Sequence, residues 1–139
     1  MDCILCKLAK KKLPVSIVYE DDVLMAAMDI QPINRGHVLV FPKKHASFLS
    51  ELDPDTGGMM FKLGQKIAAS LRKSEIKCEG VNFFLADGEA AFQEILHCHL
   101  HVFPRFKGDG FKLKFGRDYK NLPEREELDQ IAEEIKKNV

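Results

Sequence analysis

Three histidines at alternate positions, His97-Cys98-His99-Leu100-His101, constrain this chain more than any other feature. The flanking residues Ile95, Leu96, Val102 and Phe103 are apolar, so the segment spells a β-strand. A period of two places His97, His99 and His101 on one face and Cys98, Leu100 and Val102 on the other. The second set supplies a core face, so the strand belongs in a sheet covered on that side. The first set presents a row of imidazoles, each titrating near neutrality and able to act as nucleophile, acid/base or metal ligand. An expression tag would be terminal and unbroken. An edge strand has no reason to take three of the chain's five histidines. The strand therefore predicts a site.

Length and charge bound the kind of site. With 139 residues the expectation is a single domain, 1–139, with a substantial core. Lys+Arg and Asp+Glu both number 21. A formal charge of zero argues against a general nucleic-acid binder, which needs a basic excess, but leaves room for a small anionic ligand. No apolar run approaches membrane-spanning length, so no membrane partner is expected. The first residues lack the basic and apolar regions of a signal peptide, and a cytoplasmic location is expected. Four cysteines would be reduced there, so Cys3 and Cys6 point to metal or redox chemistry rather than a disulfide framework.

The pattern along the chain predicts a short basic helical turn over residues 7–12, stopped near Pro14. Residues 17–20 and 23–28 read as a hairpin about Asp21-Asp22. Residues 37–41 form an apolar strand ended by Pro42. Asp53, Asp55 and Thr56 are N-cap candidates for a helix running to about Lys73, with Met60, Leu63, Ile67 and Leu71 at helical spacing. Residues 81–85 form a strand. Pro123 opens a last helix whose stripe of Leu128, Ile131, Ala132 and Ile135 is expected to be buried. Strands on short turns with two substantial helices indicate an α+β fold, an antiparallel sheet with helices against one face.

His-x-His-x-His followed by two apolar residues resembles the signature of the histidine triad (HIT) superfamily of nucleotide hydrolases and transferases. Further stretches match collinearly: Cys3-Ile4-Leu5-Cys6-Lys7 with Pro14 and the hairpin, then Met28-Asp29-Ile30-Gln31-Pro32 into Gly36-His37-Val38-Leu39-Val40 and Pro42-Lys43-Lys44-His45, then Gly88 and Gln93. The resemblance covers nearly the whole chain. It implies a two-layer α+β protomer on about five antiparallel strands with two main helices, paired as a homodimer.

The same resemblance implies phosphoryl chemistry without a catalytic metal. His99, the middle histidine, would attack the α-phosphate of a purine nucleotide and carry a covalent nucleotidyl group. Neutral imidazole is nucleophilic and leaves readily when water attacks. His101 and backbone amides would hold the phosphate charge, with His37 beside them and Gln93 on the preceding loop. Asp29 matches an acidic residue that accepts hydrogen bonds from the ribose hydroxyls, and Ile4, Leu5, Leu8 and Ile30 match an apolar clamp around the base. Core packing is the plainer reading of those four.

Cys3-x-x-Cys6 alone is compatible with two unligated thiols. With His45 and His97 it resembles the branch of the superfamily that binds one structural zinc per chain in a closed tetrahedral site. The loop before the triad departs from the family pattern. Ala86 replaces an asparagine, Phe92 a glycine and Glu94 a serine, which puts two polar contacts to the phosphates in question. Two other readings remain open from the residues alone: a catalytic metal centre made of all three triad imidazoles, and a non-catalytic nucleotide- or partner-binding protein that retains the fold.

Overall fold

The computed structural model describes residues 2–139. The chain divides into two compact units, one ending at Asp109 and one spanning Gly110–Val139.

The first unit is built on five antiparallel strands: β1 (Ile17–Glu20), β2 (Leu24–Met28), β3 (Val38–Pro42), β4 (Gly80–Phe84) and β5 (Leu100–Arg105). Their spatial order is β1-β2-β3-β5-β4. The hairpin turns where its sequence predicts, because the Asp21 carboxylate accepts the N–H groups of Val23 (2.8 Å) and Leu24 (2.7 Å). Helix α1 (Ile4–Ala9) precedes the sheet, and α2 (Pro54–Lys73) lies between β3 and β4. Asp53 caps α2 by accepting from Asp55 (2.9 Å) and Thr56 (3.1 Å), and Pro54 starts it with a φ already suited to the helix.

Strand alternation then sorts the sheet into two faces. Leu24, Ala26, Val38, Val40, Leu100 and Val102 pack with Met60, Leu63, Ile67, Ala68 and Leu71 of α2. The stripe predicted for α2 is therefore its buried face. The opposite parity, Met25, Ala27, Leu39 and Phe41, packs with Cys3 and Leu5 of the N-terminal segment. His37 and His101 share that second parity, since His101 pairs with Leu39 across β3 and β5. The chemistry-bearing side chains therefore lie on the face away from α2.

Three expectations change. The triad is not a strand throughout: β5 starts at Leu100, and His97, Cys98 and His99 lead into it as irregular chain. Continuing the β3–β5 register would place Cys98 opposite Pro42, which has no N–H to give. The Cys98 N–H instead donates to the Ala46 carbonyl at 2.7 Å. The side-chain alternation survives, because Cys98 still packs among the α2 core. Second, the N-terminal helix covers Ile4–Ala9 rather than residues 7–12, so it begins inside the cysteine pair. Third, α3 (Arg125–Lys136) in the second unit leaves Leu128, Ile131, Ala132 and Ile135 exposed. Its own unit is one helix after an irregular segment, with no second layer to receive an apolar stripe.

Gly64 sets how closely α2 approaches the sheet. A Cβ there would meet the Phe83 ring at 2.9 Å and the Leu100 side chain at 3.2 Å. Overpacking costs about 1–3 kcal/mol, against a helix-propensity gain of about 1 kcal/mol. Gly64→Ala is expected to lower stability by a net of about 1 kcal/mol in urea denaturation. A more stable variant would show that Phe83 yields freely.

Candidate active site and metal-ligand cluster

Asp29 follows β2 and His37 precedes β3, and the loop between them is tied to both. The Asp29 N–H donates to the His37 carbonyl (3.0 Å), and the Asp29 carboxylate accepts the Gln31 N–H (2.8 Å). His37 is almost wholly buried, and its Nδ1 accepts the Ile33 N–H at 3.0 Å. Its Nε2 lies 2.8 Å from His101 Nδ1 and 3.6 Å from the Asp29 carboxylate. Burial lowers the pKa of His37, opposed by the Asp29 charge. Burial, with the charges of His99 and His37, pushes His101 down to about 4. Both rings are therefore neutral near pH 7.

The hydrogen bonds then assign the tautomers. A neutral His37 that accepts at Nδ1 carries its proton on Nε2 and donates it to His101 Nδ1. His101 carries its own proton on Nε2, as a free donor. His99 is buried, and its Nδ1 donates to the His97 carbonyl at 2.6 Å. In the neutral ring this bond places the proton on Nδ1 and the lone pair on Nε2. The His99 and His101 rings meet edge to face, 4.8 Å between centroids. A bare imidazole nitrogen beside an imidazole N–H donor can attack an electrophile and hold the charge that develops on it.

His37, His99 and His101 line a cavity of about 540 Å³. Ile4, Asp29, Ile30 and Ile33 form part of its wall, and Phe84, Phe92, Glu94 and Ile95 another part. Its volume falls within the ordinary range for small-molecule sites. The remaining sequence candidates lie elsewhere. Leu5 is buried with Met25 and Phe41, and Leu8 packs against the same cluster, so neither is among the residues lining the cavity. The Gln93 amide is engaged by backbone: it donates to the Ser47 (2.7 Å) and Ile95 (3.1 Å) carbonyls and accepts the Gly88 N–H (2.8 Å). It braces the loop rather than facing the cavity. Ala86 is buried on the cavity wall, and Glu94 is exposed there.

Sequence reasoning missed Phe84 and Ile33 as cavity residues. Phe84 reaches the site only because β4 pairs it with His101, a register that no local pattern encodes.

A second cluster lies next to the first. Cys3 and Cys6 open α1, His45 follows β3, and His97 is buried ahead of β5. Their ligand atoms all lie within 4.8 Å of one another and could hold a metal ion. His97 Nδ1 is 3.3 Å from Cys3 Sγ and 3.5 Å from Cys6 Sγ, and His45 Nδ1 is 3.4 Å from Cys6 Sγ. Each imidazole has a partner on its far nitrogen. His97 Nε2 donates to the Pro42 carbonyl at 2.7 Å, and His45 Nε2 is 3.2 Å from the Ser47 hydroxyl. Such outer partners fix the tautomer that presents Nδ1 as a ligand. Burial raises the Cys6 thiol pKa, reinforced by Cys3, and lowers that of His97. His97 Nδ1 thus faces sulfur rather than the other triad rings. Asp29, His37 and His101 also bring ligand atoms within 4.8 Å, but a hydrogen bond already joins the two imidazoles.

An antiparallel sheet whose strand β5 is led in by alternating histidines, with a thiol–imidazole cluster beside them, defines a histidine-triad protein. The HIT domain family model matches residues 10–108. A HIT-like protein of Borreliella burgdorferi is 40% identical over 139 residues, covering 99% of each chain. The adenosine 5′-monophosphoramidase hnt1 of Schizosaccharomyces pombe is 30% identical, over 100% of this chain and 99% of its own. The crystal structure of a Zn-bound histidine triad family protein from Mycobacterium smegmatis superposes with a TM-score of 0.77 at 38% identity, covering 87% of each chain. The chain belongs to the HIT family.

Buried neutral histidines make stability depend on acid. The folded-state pKa of His101 lies below its ordinary 6.5, so below that pH the unfolded chain binds a proton that the folded chain refuses. Stability is expected to be full above pH 6.5 and to fall as pH drops towards about 4. Denaturant titrations of wild type and His101→Gln check this: the variant should lose part of the slope in that window. Identical slopes would show that His101 titrates alike in both states.

Proposed function

We propose that the protein is a nucleotide phosphohydrolase or nucleotidyltransferase acting at the α-phosphate of a purine nucleotide through a nucleotidyl-His99 intermediate. The observation that carries this reading is the 2.6 Å bond from His99 Nδ1 to the His97 carbonyl, which in the neutral ring makes Nε2 the lone-pair nitrogen of a cavity-lining histidine. In the first half-reaction Nε2 attacks phosphorus and the bond to the leaving group breaks. The His101 Nε2–H stabilises the charge gathering on the phosphate oxygens. Water then attacks phosphorus as the phosphorus–Nε2 bond breaks, freeing His99, or another acceptor takes the nucleotidyl group. Asp29 would accept from the ribose, with Ile4 and Ile30 against the base. The named activity of the fission-yeast relative supports this substrate class. A homodimer is part of the proposal, resting on the family resemblance, as is a cytoplasmic, reducing setting for the four cysteines.

Cys3, Cys6, His45 and His97 would hold one zinc ion. A tetrahedral ion with Zn–S of about 2.3 Å and Zn–N of about 2.0–2.1 Å sets neighbouring sulfur and nitrogen atoms about 3.5 Å apart, and the Cys3–His97, Cys6–His97 and Cys6–His45 pairs lie 3.3–3.5 Å apart. With four protein ligands and no open position, the ion would supply structure alone, pinning α1 to the chain just ahead of the nucleophile. A catalytic metal on all three triad imidazoles is disfavoured, because His97 Nδ1 faces Cys3 and Cys6.

Two measurements test the proposal. His99→Ala is expected to lower turnover of an adenosine 5′-phosphoramidate by at least about 10³-fold, the scale lost when a nucleophile goes. An α-labelled substrate should label His99 in wild type, and label on another residue would contradict the assignment. Changing Cys3 and Cys6 together to Ser is expected to release one equivalent of zinc and lower Tm, since structural zinc contributes directly to folding. Metal-free wild type of equal stability, purified from zinc-replete medium, would refute the zinc.

A further inference from the structure

Phe92 is a cavity residue that the nucleotide reading leaves without a task. Its backbone is left-handed, φ +68° and ψ +28°, a conformation natural to glycine and unfavourable for a bulky side chain. The residue is 80% exposed, so little packing within the chain offsets that strain. Both features are unfavourable in the free protein, and they coincide on one cavity wall with Phe84, whose ring meets His101 at 5.8 Å. Strain held at a binding site is the kind of observation that points to function.

Charge narrows what the ring could meet. The described residues lining the cavity include the carboxylates of Asp29 and Glu94 and no lysine or arginine. A leaving group carrying further phosphates would bring negative charge towards Glu94 with no side-chain cation to receive it. A leaving group without charge meets no such barrier, and a flat one could lie against an exposed ring.

We propose that Phe92 determines leaving-group specificity, stacking on the planar, uncharged aromatic group of a nucleoside 5′-phosphoramidate. This inference rests on the nucleotide-transfer reading above. In the step concerned, a bond forms between His99 Nε2 and phosphorus as the bond from phosphorus to the leaving amine nitrogen breaks. The electron pair stays on that nitrogen, which takes a proton from water and departs as the amine. Hydroxide then completes hydrolysis by attacking the nucleotidyl-histidine, giving the nucleoside monophosphate and free His99. Phe92 touches only the departing group, so its contribution ends with the first half-reaction.

The test uses the full-length protein and three probes: adenosine 5′-phosphoramidate, its N-phenethyl derivative, and diadenosine triphosphate. Stacking on an aromatic side chain is worth about a tenfold preference. The wild-type ratio of kcat/KM, phenethyl over unsubstituted, is expected to be about ten, with diadenosine triphosphate the poorest probe. Phe92→Gly relieves the left-handed strain and should fold at least as well, and its ratio is expected to fall to about one. Phe92→Tyr should keep the ratio, because it keeps the ring. A wild-type ratio near one, or one unchanged in Phe92→Gly, overturns the inference while leaving the nucleotide reading intact. Should Phe92→Gly also elute as a smaller species with that ratio unchanged, Phe92 belongs to an interface between copies, which likewise overturns it. Failure of wild type to turn over any probe overturns the nucleotide reading, and the inference falls with it.

Discussion

Pro42 has no N–H to offer β5, so the β3–β5 ladder ends at Val40 and Leu100, and the preceding residues must find other hydrogen-bond partners. The Cys98 N–H goes to the Ala46 carbonyl, and the Pro42 carbonyl takes the His97 Nε2 proton. Released from the ladder, the His97 carbonyl lies 2.6 Å from His99 Nδ1. One missing donor thus turns His97 towards the cysteines and fixes the tautomer of His99. Had the strand run unbroken through all three histidines, the imidazoles would stand in a row with their protons unassigned.

Burial supplies the second half of the arrangement. A chain of hydrogen bonds runs from the Ile33 N–H through His37 to His101. It is directional only if both rings are neutral, and burial makes them so against the pull of Asp29. With His99 neutral as well, the result is a fixed N–H donor on His101 next to a lone pair on His99, the arrangement the proposed reaction needs. Preorganised donors of this kind need no rearrangement as charge develops. In the proposed mechanism the thiol–imidazole cluster would serve the same end from the other side, by anchoring the chain at His97, two residues before His99.

Much of this was legible in the sequence. The α2 stripe, the hairpin turn and the parity of Cys98, Leu100 and Val102 all follow from local periodicity and capping, which act over a few residues. The pairing of Cys3 and Cys6 with His45 and His97 came from family resemblance, and the ligand atoms do lie within reach of one another. What the sequence hid depends on contacts distant along the chain. Pro42 cuts short a strand that begins 58 positions later in the sequence, and Phe84 enters the cavity through its register with His101. Gln93 looked like a phosphate contact, yet its amide satisfies three backbone groups of its own loop region. The stripe on α3 has helical spacing and still lies exposed, since periodicity marks a face without saying what covers it.

The central claim is a statement about protons: His99 carries its own on Nδ1, and His101 carries its own on Nε2. Nitrogen-detected NMR of the imidazole rings near pH 7 tests it directly, since protonated and bare ring nitrogens resonate far apart. The account predicts a protonated Nδ1 and bare Nε2 for His99, and the reverse for His101. A His99 ring protonated on Nε2 would contradict it, because the cavity would then face a donor where a nucleophile is required.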